Sequence, residues 1–270
     1  MWEGPVEDLT LTANAQPALM AASLAAIRVL EAEAGLDLSC DAAFVAGHSL
    51  GEYSALAAAG TFSIADAARL LRLRGRAMQS AVPVGAGAMA AILGLDYDKV
   101  VAVAEEAAQG EVCDIANDNA PGQVVVSGDA AAIARAAEIA KREGAARAVL
   151  LPVSAPFHCR LIASAGEAMR EALANVAMNV PAVPVVANVT ARPVTSTDEI
   201  RDLLVRQVTA TVRWRESVAF MAQSGVERLV EVGTGKVLSG LTKRIAREVA
   251  SANVGSPEDV AAFVASRTGA

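Results

Sequence analysis

The stretch Gly47-His48-Ser49-Leu50-Gly51 carries the most chemistry in this sequence. A serine between two small residues, entered from an apolar run and followed by a helical pattern, has the form of a nucleophile elbow. The small flanking residues let the chain turn sharply and present the hydroxyl at a helix N-terminus. There, backbone N–H groups and the helix dipole favour an oxyanion growing on a carbonyl under attack. The alternative is a plain glycine turn, and the strand before it and helix after it favour the elbow.

A serine nucleophile needs a base, usually histidine, and the chain has only two. His48 adjoins the serine, and side chains of neighbouring residues diverge in a sharp turn. That leaves His158, in Pro156-Phe157-His158-Cys159, 109 residues beyond Ser49. In an α/β-hydrolase the histidine falls near the chain end, after the acid. Here about 110 residues follow it, so the order does not match that fold. Gly85-Ala86-Gly87 imitates a dinucleotide fingerprint, but a strand pattern follows where a helix should. Gly235-Lys236 imitates a phosphate loop without its earlier glycine or its following Ser or Thr.

The elements that must position these groups follow from periodicity. Met20, Leu24, Ile27 and Leu30 at helical spacing predict a helix over 17–34, after which a short buried strand over 43–46 runs into the elbow. Helices are expected over 50–59 and 64–80, the second opened by the capping box Ser63-Ile64-Ala65-Asp66. Between 84 and 152 the rhythm becomes strand, helix, strand, strand, helix, strand, over 88–93, 96–108, 112–117, 123–127, 130–143 and 146–151. Asn119-Ala120-Pro121-Gly122 joins the middle strands with turn chemistry, and the order is that of a split βαβ, ferredoxin-like unit. Beyond it, helices over 163–175, 200–209, 217–223 and 237–249 alternate with strands over 183–188 and 227–232, implying a mainly parallel sheet. The fold class is α/β. Residues 1–84 and 153–270 form the large part, and 85–152 an inserted ferredoxin-like subdomain.

Composition bounds the function. The chain has 270 residues, 54 % of them hydrophobic, with a net charge of −7 and no clustered basic run, which argues against nucleic acid or an anionic membrane as partner. Three widely spaced cysteines, Cys40, Cys113 and Cys159, without a metal-ligand pattern fit a reducing cytosol. The acidic start over residues 1–8 has no signal-peptide pattern, and no apolar run is long enough to span a bilayer.

These residues resemble the malonyl-CoA:acyl carrier protein transacylases of type II fatty acid synthesis. The stretches that carry the resemblance are Gln16-Pro17-Ala18-Leu19, Gly47-His48-Ser49-Leu50-Gly51-Glu52-Tyr53, Arg74-Gly75-Arg76-Ala77-Met78-Gln79, Asn119-Ala120-Pro121-Gly122-Gln123-Val124-Val125, Pro152-Val153-Ser154-Ala155-Pro156-Phe157-His158 and Glu231-Val232-Gly233-Thr234-Gly235-Lys236-Val237-Leu238. They run in the family's order along nearly the whole chain.

The resemblance implies a parallel-sheet serine acyltransferase core in which Ser49 becomes acylated by malonyl-CoA and His158 moves the proton. It implies that Arg74 pairs with the free malonyl carboxylate, that the Gln207 backbone carbonyl orients the histidine, and that the Leu50 N–H is one oxyanion donor. Phe157 would either exclude a 2-methyl group or simply pack in the core, and Asn119 with Gln123 would lie at the cleft edge. The acceptor would be the thiol of a phosphopantetheinylated acyl carrier protein, with no cofactor, in a cytoplasmic monomer. Lys236, Lys243, Arg244 and Arg247 would either meet the acidic carrier or form a solvated helix face.

The resembling enzymes also carry an apolar strand and a Gly-Gln-Gly-Ser-Gln loop upstream of what is Met1 here. The expectation is that this sequence starts at an internal methionine of a longer product. The competing readings are a malonyl transferase of a malonate decarboxylase or polyketide system, a thioester hydrolase, and a shortened, weakly active or non-catalytic carrier-binding form.

Overall fold

Pro17 does not open the first long helix but lies inside it. In the computed structural model, which describes residues 4–268, α1 (Val6–Thr10) leads into α2 (Thr12–Ala34); the readings made on Met1, Trp2 and Glu3 fall outside the described residues. The Pro17 nitrogen has no hydrogen for the Ala13 carbonyl four residues back. That oxygen accepts instead from Arg72 Nη1 at 3.0 Å. A short α3 (Leu38–Asp41) precedes β1 (Val45–Ala46), which ends in the elbow, and α4 (Leu50–Ala58) and α5 (Ile64–Ser80) follow. The expected cap holds, with Asp66 N–H donating to Ser63 Oγ at 3.0 Å.

Helices α2 and α5 pack closely because residue 75 is glycine: a Cβ there would stand 2.5 Å from Ala13 Cα. The approach brings Gln16 and Arg74, both buried, side by side.

The middle of the chain forms β2 (Gly87–Leu93), α6 (Tyr97–Ala108), β3 (Cys113–Ala120), β4 (Gln123–Asp129), α7 (Ala130–Arg142) and β5 (Arg147–Leu150). The sheet order β3-β4-β2-β5, antiparallel throughout, is the split βαβ arrangement. Alternation along β2 sorts its residues as strand geometry requires. Ala90 and Ile92 face α6 and α7 with Val100, Val103 and Ile133. Met89 and Ala91 face the other way, with Ala116, Val125 and Phe157. Strand β3 runs three residues beyond its expected end, because irregularities between Ile115 and Asn117 and between Asp118 and Ala120 keep it on the ladder. Asn119 is therefore a strand residue, and the turn shrinks to Pro121-Gly122.

The rest comprises α8 (Ala163–Ala174), β6 (Val185–Ala187), β7 (Arg192–Val194), α9 (Thr197–Gln207), α10 (Trp214–Gln223), β8 (Arg228–Val232), α11 (Val237–Ile245), β9 (Ala250–Val254) and α12 (Pro257–Thr268). Parallel pairs form as expected between β1 and β6, and also between β8 and a strand that the sequence pattern does not predict, β9. Among the described residues they lie in two separate sheets rather than one, and β7 joins β6 antiparallel. Residues 250–254, beyond the helix expected over 237–249, form β9. The helix breaks at Ala246 (φ −137°, ψ 86°), and the segment pairs with β8. The main core is built from α2, α4, α5, α8 and α9 around Met20, Tyr53, Leu56, Leu71, Met169 and Leu203.

Candidate active site

The elbow is held in a conformation that an isolated chain would leave. Ser49 has φ 54° and ψ −111°, outside the regions an L-residue ordinarily occupies, and His158 has φ 57°. Of the two elbow glycines, Gly47 is the one that sterics demand. A Cβ on it would stand 2.0 Å from the carbonyl of Gly51, whereas a Cβ on Gly51 would meet open space.

The side-chain amide of Asn188, just past β6, fixes the turn. Its Oδ1 accepts the Ser49 N–H at 2.7 Å, and its Nδ2 donates to the Gly47 carbonyl at 2.7 Å. Gln207 at the end of α9 supplies a further tie, donating from Nε2 to the Ser49 carbonyl at 2.9 Å.

The structure brings Ser49 and His158 together, with Oγ and Nε2 2.8 Å apart. His158 Nδ1 lies 2.8 Å from the Gln207 backbone carbonyl. A carbonyl oxygen only accepts, so Nδ1 carries the hydrogen and Nε2 offers its lone pair to the serine hydroxyl. A backbone carbonyl thus stands where a Ser-His-Asp triad has its carboxylate. Burial, reinforced by the nearby Arg74 cation, holds the His158 imidazole down to about 3, so it is neutral at ordinary pH.

Arg74 is 1 % exposed, and no carboxylate touches it among the described residues. Its Nη1 donates to Gln16 Oε1 at 2.7 Å, and its Nη2 to Gln207 Oε1 at 2.9 Å and Ser49 Oγ at 3.2 Å. The guanidinium lies over the Tyr53 ring, 5.8 Å from its centroid, and its Nε has no acceptor among the described residues. A cation with a spare donor therefore stands within one short acyl group of the serine. Leu50 is the first residue of α4, so its N–H has no acceptor within the helix.

The remaining expected residues occupy the surroundings. Phe157 is half-buried between the main core and the Met89 face of the four-stranded sheet, its N–H 3.4 Å from Met89 Sδ. Asn119 Oδ1 lies 2.8 Å from His48 Nε2, so it braces the residue before the nucleophile. His48 is turned away from Ser49 toward Trp214, with ring centroids 5.7 Å apart. Arg244 of the expected basic group is held by the hairpin, donating to Pro121 O at 2.8 Å and to Gln123 Oε1. Gln16, Glu52, Asn188 and the side chain of Gln207 escaped sequence reasoning. Gln16 and Glu52 carried only their place in the resembling stretches, and nothing local marks Asn188.

A strained serine against a histidine, on an α/β core bearing a split βαβ unit, defines an acyl transferase. The chain belongs to the acyl transferase domain family, which matches residues 1–263, and within it to the malonyl CoA-acyl carrier protein transacylases. It is 49 % identical over 260 residues to the Escherichia coli K12 protein of that name, covering 96 % of this chain and 83 % of the relative. The crystal structure of an acyl-carrier-protein-S-malonyltransferase from Bartonella henselae superposes with a TM-score of 0.95 at 53 % identity, covering 98 % of this chain and 84 % of the other. A malonyl-transacylase solved in complex with a holo type II polyketide acyl-carrier protein gives a TM-score of 0.94 at 42 % identity, over 98 % and 84 % of the two chains.

Proposed function

We propose that this protein moves a malonyl group from malonyl-CoA to the phosphopantetheine thiol of an acyl carrier protein, through a malonyl ester on Ser49. The observation that carries the reading is Ser49 Oγ itself, which lies 2.8 Å from a neutral imidazole nitrogen and 3.2 Å from a buried guanidinium. His158 Nε2 takes the hydroxyl proton as Oγ attacks the thioester carbonyl, and Leu50 N–H donates to the oxygen that gains charge. Collapse of the tetrahedral species breaks the C–S bond, and the leaving thiolate takes the proton back from His158. The carrier thiol then repeats the sequence against the malonyl-serine ester and regenerates Ser49. Arg74 receives the malonyl carboxylate through paired N–H donors, which an acetyl group has no means to use. Phe157 limits the space beside the acyl carbon, and Asn119 braces the elbow through His48.

Each step balances with the residues named, so the reading calls on no cofactor. The acyl group enters between the part formed by 1–84 with 153–270 and the part formed by 85–152. The relative bound to a holo polyketide carrier supports a phosphopantetheine carrier as the class of acceptor. A cytoplasmic monomer acting on CoA and carrier thioesters, without nucleic acid or membrane, completes the proposal. No described helix is long and apolar enough to cross a membrane.

The test is incubation with radiolabelled malonyl-CoA followed by peptide mapping. Label is expected on the Ser49 peptide, discharged by added holo carrier protein. A folded sample with no label on Ser49 overturns the reading, and label lost to water as fast without carrier as with it identifies a hydrolase instead.

A further inference from the structure

Glu52 lies one turn along α4 from the nucleophile and is 2 % exposed, a setting in which a carboxylate is costly unless paired. Its Oε2 accepts the Asn188 backbone N–H at 3.1 Å and Gln207 Nε2 at 2.8 Å. Gln207 Oε1 in turn accepts from Arg74 Nη2 at 2.9 Å. A buried anion on α4 and a buried cation on α5 are therefore joined through one amide without touching. Among the described residues, no other carboxylate bonds to Gln207 or Asn188.

The groups facing Glu52 narrow what can titrate there. Arg74 approaches from α5 and Tyr53 from its own helix; α9 offers the Gln207 side-chain amide and the β6–β7 turn the Asn188 backbone N–H, while His158 bonds the Gln207 carbonyl. Burial raises the Tyr53 phenol far above neutrality and lowers His158 to about 3. The guanidinium keeps its proton. Burial raises Glu52 to about 7, opposed by its bonds to Gln207 and Asn188 and by Arg74.

With Glu52 ionised and Arg74 cationic, this interior is neutral. A carboxylated acyl group on Arg74 adds a second anion to a region with one cation, and like charges in a dry site disfavour joint ionisation. Protonation of Glu52 relieves the excess without moving an atom of the nucleophile. Resting on the malonyl reading of Arg74 above, we propose that Glu52 is a positioning residue for acyl specificity, acting through Gln207: a carboxylated acyl group docks on Arg74 as Glu52 takes up a proton, whereas a neutral acyl group docks without proton uptake. Acidic acyl groups are then favoured most below the ionisation of Glu52. Their advantage over neutral ones shrinks as pH rises, by up to about tenfold per pH unit for a single linked proton.

Calorimetric titration of the Ser49→Ala variant, which binds without turnover, tests this directly. Malonyl-CoA and acetyl-CoA are titrated at pH 7.5 in buffers of different ionisation enthalpy, which counts protons; the CoA phosphates are common to both ligands and cancel. The expected result is roughly half to three-quarters of a proton taken up with malonyl-CoA beyond that with acetyl-CoA, and no difference in the double variant S49A/E52Q. Equal proton counts for the two ligands in Ser49→Ala overturn the proposal whether or not the double variant folds, as does an excess that persists in S49A/E52Q. Malonyl-CoA that binds without extra proton uptake leaves the malonyl reading standing and removes this one alone. Malonyl-CoA that binds no better than acetyl-CoA at any pH from 6 to 9 removes both.

Discussion

Asn188 holds Ser49 by the backbone alone: its amide accepts the serine N–H and donates to the carbonyl two residues earlier, each at 2.7 Å, without touching the hydroxyl. The Ser49 φ of 54° is therefore maintained by a residue 139 positions away. Each buried hydrogen bond left unmade costs about 1–3 kcal/mol, and the strained turn is free to relax once both are gone. Asn188→Ala is expected to lower the rate of Ser49 acylation by about a hundredfold while changing KM for the acyl donor little, because Asn188 does not reach the acyl group. Single-turnover acylation kinetics beside a thermal melt measure this, and a well-folded variant acylating within threefold of the parent refutes the role.

In the proposed function, acyl choice turns on Arg74. Its Nη2 already touches Ser49 Oγ at 3.2 Å, so the charge is in place before any substrate arrives. Arg74→Ala is expected to reduce kcat/KM for malonyl-CoA by about a hundredfold or more, the worth of a charge-assisted pair in a dry site. Transfer from acetyl-CoA should change far less, so preference shifts toward the neutral donor. Arg74→Lys should not restore the loss, since an ammonium cannot form the paired fork. Equal losses for both donors contradict the assignment.

Two buried groups push stability in opposite directions with pH. His158 falls from 6.5 to about 3 on folding, so between those values the unfolded chain holds a proton that the folded one does not. Stability is present above 6.5 and lost as pH drops toward 3. Glu52 rises from 4.5 to about 7, so there the folded chain holds the extra proton, and stability declines as pH climbs from 4.5 toward 7. Urea unfolding across pH 4–8 should show Glu52→Gln gaining on the parent as pH rises. His158→Ala should lose the parent's rise between pH 4 and 6.5. The differences are on the order of a few kcal/mol. A Glu52→Gln variant that runs parallel to the parent over the whole range shows that Glu52 does not titrate in this window.

What the sequence disclosed divides along a physical line. Ser49 and His158 were legible because a strand, two glycines and a helix form a local pattern, and because histidine is scarce. The split βαβ unit was legible because its strands alternate and its turn carries Pro121-Gly122. Asn188 was not, because its role is set by where β6 ends beside the elbow, and a lone asparagine after a strand marks nothing. Strand β9 was hidden for a different reason: Ala250-Ser251-Ala252-Asn253-Val254 has no strong strand preference of its own, and pairing with β8 decides its conformation. Pro17 misled by position, since its lost hydrogen bond is answered by Arg72 from another helix.

The two glycines flanking the nucleophile should behave differently when replaced. At Gly47, a methyl group would occupy the space of the Gly51 carbonyl, 2.0 Å away, and neither partner is a side chain that can swing aside. At Gly51, within α4, a methyl group meets nothing within 4 Å, and alanine favours the helix by roughly 1 kcal/mol. Gly47→Ala should therefore fail to accumulate as soluble protein, or melt well below the parent with an altered Ser49 environment. Gly51→Ala should melt at the parent temperature or above it. Thermal melts of the two variants in one buffer decide the matter, and equal destabilisation by both would show that the elbow depends on glycine flexibility in general rather than on the contact between these two backbones.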